Sequence, residues 1–289
     1  MRLNCDATAA VFVFAGLILC ATVMRAAEPD SRARLEKRIF RNPQGESIPY
    51  RLFIPKGYDA TWSRLSETRE PVSERPAHVK SPAHVKQYPL ILFLHGAGER
   101  GTDNEAQLAN AEVLDLVSDE VAARHPCFLV APQCPAGAKW VEVPWDRKKP
   151  HHTPAQPSAA MRIVLELLDS LAKELPIDPA RRYVTGLSMG GYGSYDACLR
   201  RPGYFAAAVP ICGGADDSRA KDFVGTSFWI FHGGSDSVVP VTRSRSIYHL
   251  LKAAGANVKY TEYPGIDHNS WIRAYREPGL AEWLFAQHK

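Results

Sequence analysis

The chain has 289 residues, 45% of them hydrophobic and 23% charged, with a formal net charge of +4 at pH 7. That length and apolar content suffice for a full-sized core, and α/β folds of this size run as one domain. The charge is mild and the arginines are scattered, which argues against a nucleic-acid partner.

Arg2 is followed by an almost uncharged apolar stretch, Ala9 to Met24, and then by Arg25-Ala26-Ala27 and polar residues. The stretch is short for a membrane span and is placed like the apolar region of a signal peptide. Residues 1–27 are therefore expected to be a signal peptide cleaved near Ala26 or Ala27, and 28–289 an exported domain without stable membrane association. An uncleaved anchor is the alternative, and Asp6 weakens the positive n-region. Leu19 is too bulky for a lipoprotein signal ending at Cys20.

Residues 34–57 read as two edge strands around the turn-rich Asn42-Pro43-Gln44-Gly45. From Gly57 to Gln87 the apolar content falls, and Pro76-Ala77-His78-Val79-Lys80 repeats as Pro82-Ala83-His84-Val85-Lys86. Two copies of five residues do not make a solenoid, so 57–87 is expected to be a surface insertion lengthened by local duplication. His78 and His84 lack a carboxylate or Cys partner, which argues against a metal there. Pro89 to Leu94 is a continuous apolar run, the pattern of a strand buried on both faces. A helix is predicted over about Asn104 to Ser118, then a strand at Phe128 to Ala131. Met161, Val164, Leu165, Leu168 and Leu171 have helical spacing within Ala159 to Leu175. Strands follow at Tyr183 to Gly186, Phe205 to Pro210, Ser227 to His232 and Val258 to Tyr263. Helices are predicted at Gly190 to Leu199, at Val241 to Ala254 and near the end of the chain. Alternation of this kind defines a doubly wound, mostly parallel α/β sheet.

If Cys5 and Cys20 leave with the signal, Cys127, Cys134, Cys198 and Cys212 remain. A strand between Cys127 and Cys134 separates them by roughly 20 Å, whereas a disulfide needs Cα atoms within about 7 Å. Cys198 falls along a helix, and Cys212 follows a strand at the other end of the sheet. Unpaired thiols are expected.

Gly186-Leu187-Ser188-Met189-Gly190 fits Gly-x-Ser-x-Gly, with an apolar strand before it and a glycine-rich helix start behind. Such a serine sits on a strained strand-to-helix turn, and flanking glycines remove the Cβ atoms that would clash there. A serine hydroxyl needs a base to take its proton. Asp236 follows the strand ending in His232-Gly233, and His268 follows the strand ending at Tyr263, so both face the crevice that holds Ser188. Asp267 is the rival acid, although neighbours in a loop rarely point at each other. His95 is expected to brace its turn and His232 the acid loop, while His151 and His152 are expected in solvent. Ester cleavage needs convergent donors for an oxyanion, here the Met189 N–H and the Ala97 N–H, with Gly98 next in line. Trp140, Trp145 and Trp271 are candidates to line the cleft, Trp140 and Trp271 in particular as substrate contacts; packing is the competing reading.

The segment Leu94-His95-Gly96-Ala97-Gly98-Glu99-Arg100-Gly101-Thr102-Asp103-Asn104 resembles the oxyanion segment of bacterial esterases often labelled predicted peptidases. Those are related to polyhydroxybutyrate depolymerase-like and feruloyl-esterase-like enzymes. Ala131 to Pro135, Gly186 to Gly191, Phe231 to Pro240 and Asp267-His268-Asn269-Ser270-Trp271 are similar too, so the resemblance runs from about residue 35 to the end. It implies an α/β-hydrolase fold, no cofactor, and Ser188, Asp236 and His268 as a triad. The long 57–87 loop departs from the usual short connection. The expected activity is cleavage of carboxylic esters, small or polymer-linked, through an acyl-enzyme, with no metal. A serine peptidase of related fold is the alternative, and a secreted binding protein with a retired site a more distant one.

Overall fold

A computed structural model describes residues 31–58, 86–145 and 150–289. The expected signal peptide and all but the ends of the 57–87 insertion lie outside the described residues.

Eight strands form one sheet in the order β1-β2-β4-β3-β5-β6-β7-β8. They are β1 (Leu35–Arg41), β2 (Ser47–Phe53), β3 (Tyr88–Leu94), β4 (Phe128–Pro132), β5 (Ile177–Leu187), β6 (Ala207–Ile211), β7 (Ser227–Gly233) and β8 (Val258–Tyr263). β1 pairs antiparallel with β2, and β2 antiparallel with β4. Every other pairing is parallel. All seven residues of β3 and all five of β4 and β6 are buried, because helices cover both faces. β1 instead buries Leu35 and sets Glu36, Lys37 and Arg41 outward, a charged edge that discourages further strand pairing.

The main helices are α1 (Asp119–Arg124), α2 (Ala159–Glu174), α3 (Met189–Arg200), α4 (Thr242–Ala253), α5 (Trp271–Ala274) and α6 (Leu280–Phe285). The Ser158 hydroxyl accepts from the Met161 N–H at 3.1 Å and so caps α2. Two core layers result. One joins the α2 stripe to Leu92, Val130 and Val184, and the other packs Ile91, Phe93 and Val209 against Tyr275, Leu280 and Leu284.

The segment 104–118 is not the α-helix its sequence suggested. It forms short 3₁₀ turns at Ala106–Leu108 and Ala111–Val117, and the α-helix begins only after Ser118. Buried Val113, Leu114, Leu116 and Val117 recur at the three-residue spacing of a 3₁₀ turn. Asn104 adopts φ 57°, and Asp103 Oδ1 takes the N–H groups of Glu105 and Ala106, which diverts the chain at its start.

Candidate active site

β5 runs straight into the turn that holds Ser188, and α3 leaves from the next residue. Ser188 has φ 53° and ψ −117°, a conformation that costs of order 1–3 kcal/mol for a residue with a side chain. Its N–H donates to the Ile211 carbonyl at 2.9 Å, which ties the turn to the end of β6. The glycines around it are required by space. A Cβ on Gly186 would lie 2.4 Å from the Gly190 carbonyl oxygen, and one on Gly190 only 1.8 Å from that of Leu94.

β7 and β8 end beside this turn and supply the partners. The Ser188 hydroxyl lies 2.8 Å from His268 Nε2, and His268 Nδ1 lies 2.8 Å from Asp236 Oδ2. A proton on Nδ1, donated to the carboxylate, leaves the Nε2 lone pair for the serine O–H. Asp236 Oδ1 accepts the N–H groups of Val238 and Val239 at 2.9 and 2.8 Å. Burial would raise the Asp236 carboxyl, but hydrogen bonds from His232 and His268 and the Val239 N–H hold it far below the usual carboxylate range. It is therefore an anion at neutral pH. His232 Nε2 sits 2.9 Å from the Val239 carbonyl and 3.2 Å from Asp236 Oδ2, while its Nδ1 meets the Ser244 hydroxyl at 2.7 Å. His232 thus braces the acid loop. Asp267, the rival acid, turns away from the imidazole. Its Oδ1 accepts the N–H groups of Ser237 and of His268 itself, at 2.8 and 2.7 Å.

Met189 and Ala97 each open a helical turn, so neither N–H has an intrahelical acceptor. The Ala97 turn follows β3 and is held by buried groups. Burial pushes the His95 ring down to about 4, so it is uncharged at neutral pH. Its Nε2 accepts the Cys134 N–H at 2.9 Å, which leaves Nδ1 to donate to the Gly96 carbonyl at 2.6 Å. Gln133, fully buried, accepts the Asn104 N–H at 2.7 Å and donates to Asp103 Oδ1 and the Glu99 carbonyl. Burial raises the Glu99 carboxyl, 9% exposed, above its ordinary value, against the opposing pull of nearby N–H groups and the Asn110 amide. Sequence reasoning passed over Gln133, Glu99 and Asn110 as bracing residues; the one available signal was that Gln133 and Glu99 fall within two of the resembling segments.

Two expectations are corrected. Trp140 is fully buried, donates from Nε1 to the His95 carbonyl at 2.9 Å and packs against Gly193, so it is a packing element behind the turn and not a substrate contact. His151 is buried, not solvated, with Nδ1 2.7 Å from Arg243 Nη2, whereas His152 is exposed. Trp271 is half-buried and presents an edge to His268 with ring centroids 5.5 Å apart. Cys127, Cys134, Cys198 and Cys212 are buried and unpaired, and burial pushes the Cys134 thiol up to about 12. Among the described residues one ligand-like grouping occurs, Cys212 with Asp236 and His268. Burial raises its thiol beyond the range of easy ionisation, and its imidazole Nδ1 is engaged with the carboxylate, so the set does not suit a metal.

An eight-stranded, mostly parallel sheet with a serine on a strained turn and a His–Asp pair at neighbouring strand ends defines the α/β-hydrolase fold. The chain belongs to the phospholipase/carboxylesterase family, whose model matches residues 75–277. It is 28% identical over 172 residues to a bifunctional acetylxylan esterase/xylanase of Neocallimastix patriciarum, covering 59% of this chain and 23% of that one. It is 30% identical over 132 residues to poly(3-hydroxyalkanoate) depolymerase C of Paucimonas lemoignei, covering 44% and 28%. The chain thus spans about a quarter of the length of these two relatives. A solved thermostable esterase is 37% identical with a TM-score of 0.75, over 89% of this chain and 64% of that one. The resemblance drawn from the motifs is borne out at the level of family and fold.

Proposed function

We propose that the protein is a serine carboxylesterase working through Ser188, His268 and Asp236. The observation that carries this reading is the unbroken relay of two 2.8 Å contacts from Ser188 Oγ through His268 to Asp236. His268 Nε2 takes the Ser188 proton as Oγ attacks the ester carbonyl, and the carbonyl π pair moves to oxygen. The N–H groups of Met189 and Ala97 receive that oxyanion. His268 then hands its proton to the leaving alcohol, and water repeats the sequence to release the acid. Asp236 keeps the imidazole in the working tautomer and stabilises its charged form. No step calls on a cofactor.

The substrates are small or polymer-linked esters. Acetylated xylan and polyhydroxyalkanoate enter as candidates through the names of the relatives, and Trp271, edge-on to His268, is the aromatic wall nearest the chemistry. Residues 1–27 act as an export signal. Among the described residues, no helix is long and apolar enough to cross a membrane.

The test is Ser188→Ala in the purified protein, assayed on p-nitrophenyl esters, feruloyl esters, acetylated xylan and polyesters. Activity should fall by about a thousandfold or more with the fold intact, and labelling by a fluorophosphonate probe should vanish. Retention of most activity would remove Ser188 from the nucleophile's role.

A further inference from the structure

The oxyanion donor assigned to Ala97 sits on a turn whose geometry must be fixed before substrate arrives, since a donor displaced by an ångström loses much of its effect. In a trans peptide the carbonyl oxygen and the following N–H point in opposite directions. Holding the Gly96 carbonyl therefore aims the Ala97 N–H. His95 does this from the buried side, with Nδ1 2.6 Å from the Gly96 oxygen, so the N–H is turned away from the core. One held peptide still leaves Ala97 free to rotate about its second bond. That freedom is removed by Arg100, whose Nε donates to the Ala97 carbonyl at 2.7 Å. The same guanidinium donates from Nη1 to the Ala138 carbonyl at 3.2 Å, which fastens the turn to the loop after β4.

Arg100 is unusual in its partners. Among the described residues it meets carbonyl oxygens, and no carboxylate lies within ion-pair distance of it. Its charge reaches the interior: burial is the main cause that lowers the His95 ring and Arg100 adds to it, while at Cys134 Arg100 opposes the burial that raises the thiol. With Nε on the Ala97 oxygen, the cation is on the order of 6 Å from the Ala97 nitrogen. The oxygen of a tetrahedral intermediate would lie one hydrogen-bond length beyond that nitrogen, and a positive charge on this side of the turn favours its negative form.

We propose that Arg100 is the positioning residue of the oxyanion hole: it completes, with His95, a two-point clamp on the peptides either side of Ala97. The proposal rests on Ser188 as nucleophile. Arginine is needed because its planar fork holds two donors in fixed directions toward two carbonyls, which a rotating lysine ammonium does not do.

The experiment compares Arg100→Ala and Arg100→Lys with the wild-type protein on a p-nitrophenyl ester. It also measures inhibition by an aryl trifluoromethyl ketone. Ser188 Oγ adds to that ketone's carbonyl carbon, the π pair becomes an alkoxide, and His268 keeps the proton. No leaving group departs, so the inhibitor reports on how well the site holds the oxyanion beside the protonated His268, without the leaving-group step. In Arg100→Ala, kcat should fall ten- to a hundredfold with KM within threefold, and Ki should rise by the same factor as kcat/KM falls. Arg100→Lys should recover less than half of the loss on a logarithmic scale. Added guanidinium should restore part of the Arg100→Ala rate and ammonium should not. Arg100→Ala with kcat within threefold of wild type would overturn the proposal. So would a fall in kcat that leaves Ki unchanged, the mark of a merely structural role. If the alanine variant does not fold, Arg100→Lys is judged by the same two criteria. Activity surviving in Ser188→Ala would instead bring down the reading of the whole site. Loss in Ser188→Ala beside a fully active Arg100→Ala would bring down the role of Arg100 alone.

Discussion

Gly190→Ala probes how closely the fold and the reacting groups are joined. An alanine Cβ at this position would lie 1.8 Å from the Leu94 carbonyl oxygen, 2.5 Å from its carbon and 2.8 Å from the His95 carbonyl oxygen. An ordinary carbon–oxygen contact is about 3.4 Å, so α3 and the end of β3 must part by about 1.5 Å. Both sides are backbone, and β3 is fixed on each side by a parallel neighbour, so no flexible side chain absorbs the strain. Overpacking of this kind costs about 1–3 kcal/mol, which at roughly 3 °C per kcal/mol lowers the melting temperature by about 3–9 °C. The catalytic loss should be larger, because β3 carries Ala97 and α3 carries Met189 and follows Ser188. A displacement of about 1 Å between reacting groups is worth about a hundredfold in rate. Gly98→Ala is the control, since nothing lies within 4 Å of a Cβ there and its φ is not positive. Thermal melts and p-nitrophenyl ester kinetics on both variants make the test. A Gly190→Ala protein that melts within 2 °C of wild type at full kcat would refute the reasoning.

Asp236→Asn should lower kcat by on the order of 10⁴, because an amide holds the wrong imidazole tautomer, while Asp267→Asn should cost less than about tenfold; the reverse ranking in kcat transfers the acid role to Asp267. Deleting one pentapeptide copy with its spacer from 57–87 should leave the melting temperature nearly unchanged, and a drop of more than about 8 °C would show that the segment packs. Below pH 6.5 the unfolded chain takes up a proton that the buried His95 ring, at about 4, refuses, so the stability this ring contributes is full above 6.5 and lost as pH falls toward 4. Between pH 7 and 5 the loss is about 2 kcal/mol, and burial acts in the opposite sense on the Asp196 and Glu99 carboxyls, so the measurement is the difference in slope between wild type and His95→Asn. Parallel slopes in urea-melt stability would sink that argument.

The strands were legible because the sheet is buried on both faces, so β3, β4 and β7 appear as unbroken apolar runs. Ser188 was legible because a strained turn demands glycine on either side, and a demand of sterics leaves a mark in sequence. His268 and Asp236 followed from the rule that a parallel sheet gathers its loops at the carboxyl ends of the strands. The segment 104–118 was not legible, since Val113, Leu114, Leu116 and Val117 satisfy helical and 3₁₀ spacing alike. Asp103 and Asn104 decide between them through hydrogen bonds that sequence does not display. Trp140 and His151 were misplaced for a related reason. Each is a side chain of mixed polarity in an irregular loop, and its burial depends on partners from distant elements: the His95 carbonyl for one, Arg243 for the other.

That difference separates two kinds of residue around the same reaction. In the proposed mechanism Ser188, His268 and Asp236 are groups the chemistry requires, so their types and order constrain one another along the chain. The residues proposed to aim the oxyanion donors act through main-chain carbonyls, and a carbonyl belongs to every residue alike. His95 reaches Gly96, Arg100 reaches Ala97 and Ala138, and Trp140 reaches His95, each through a contact that any residue at the receiving position would offer. Only the donor's identity is constrained, and a lone His, Arg or Trp after a strand carries many other meanings. A nucleophile is therefore readable from a motif, while the precision of its oxyanion hole is readable only once the buried carbonyls are matched to their donors. Substitutions at His95, Gly96 and Arg100 should accordingly act on kcat far more than on KM, because the turn they disturb meets the substrate oxygen at full strength only when it bears charge.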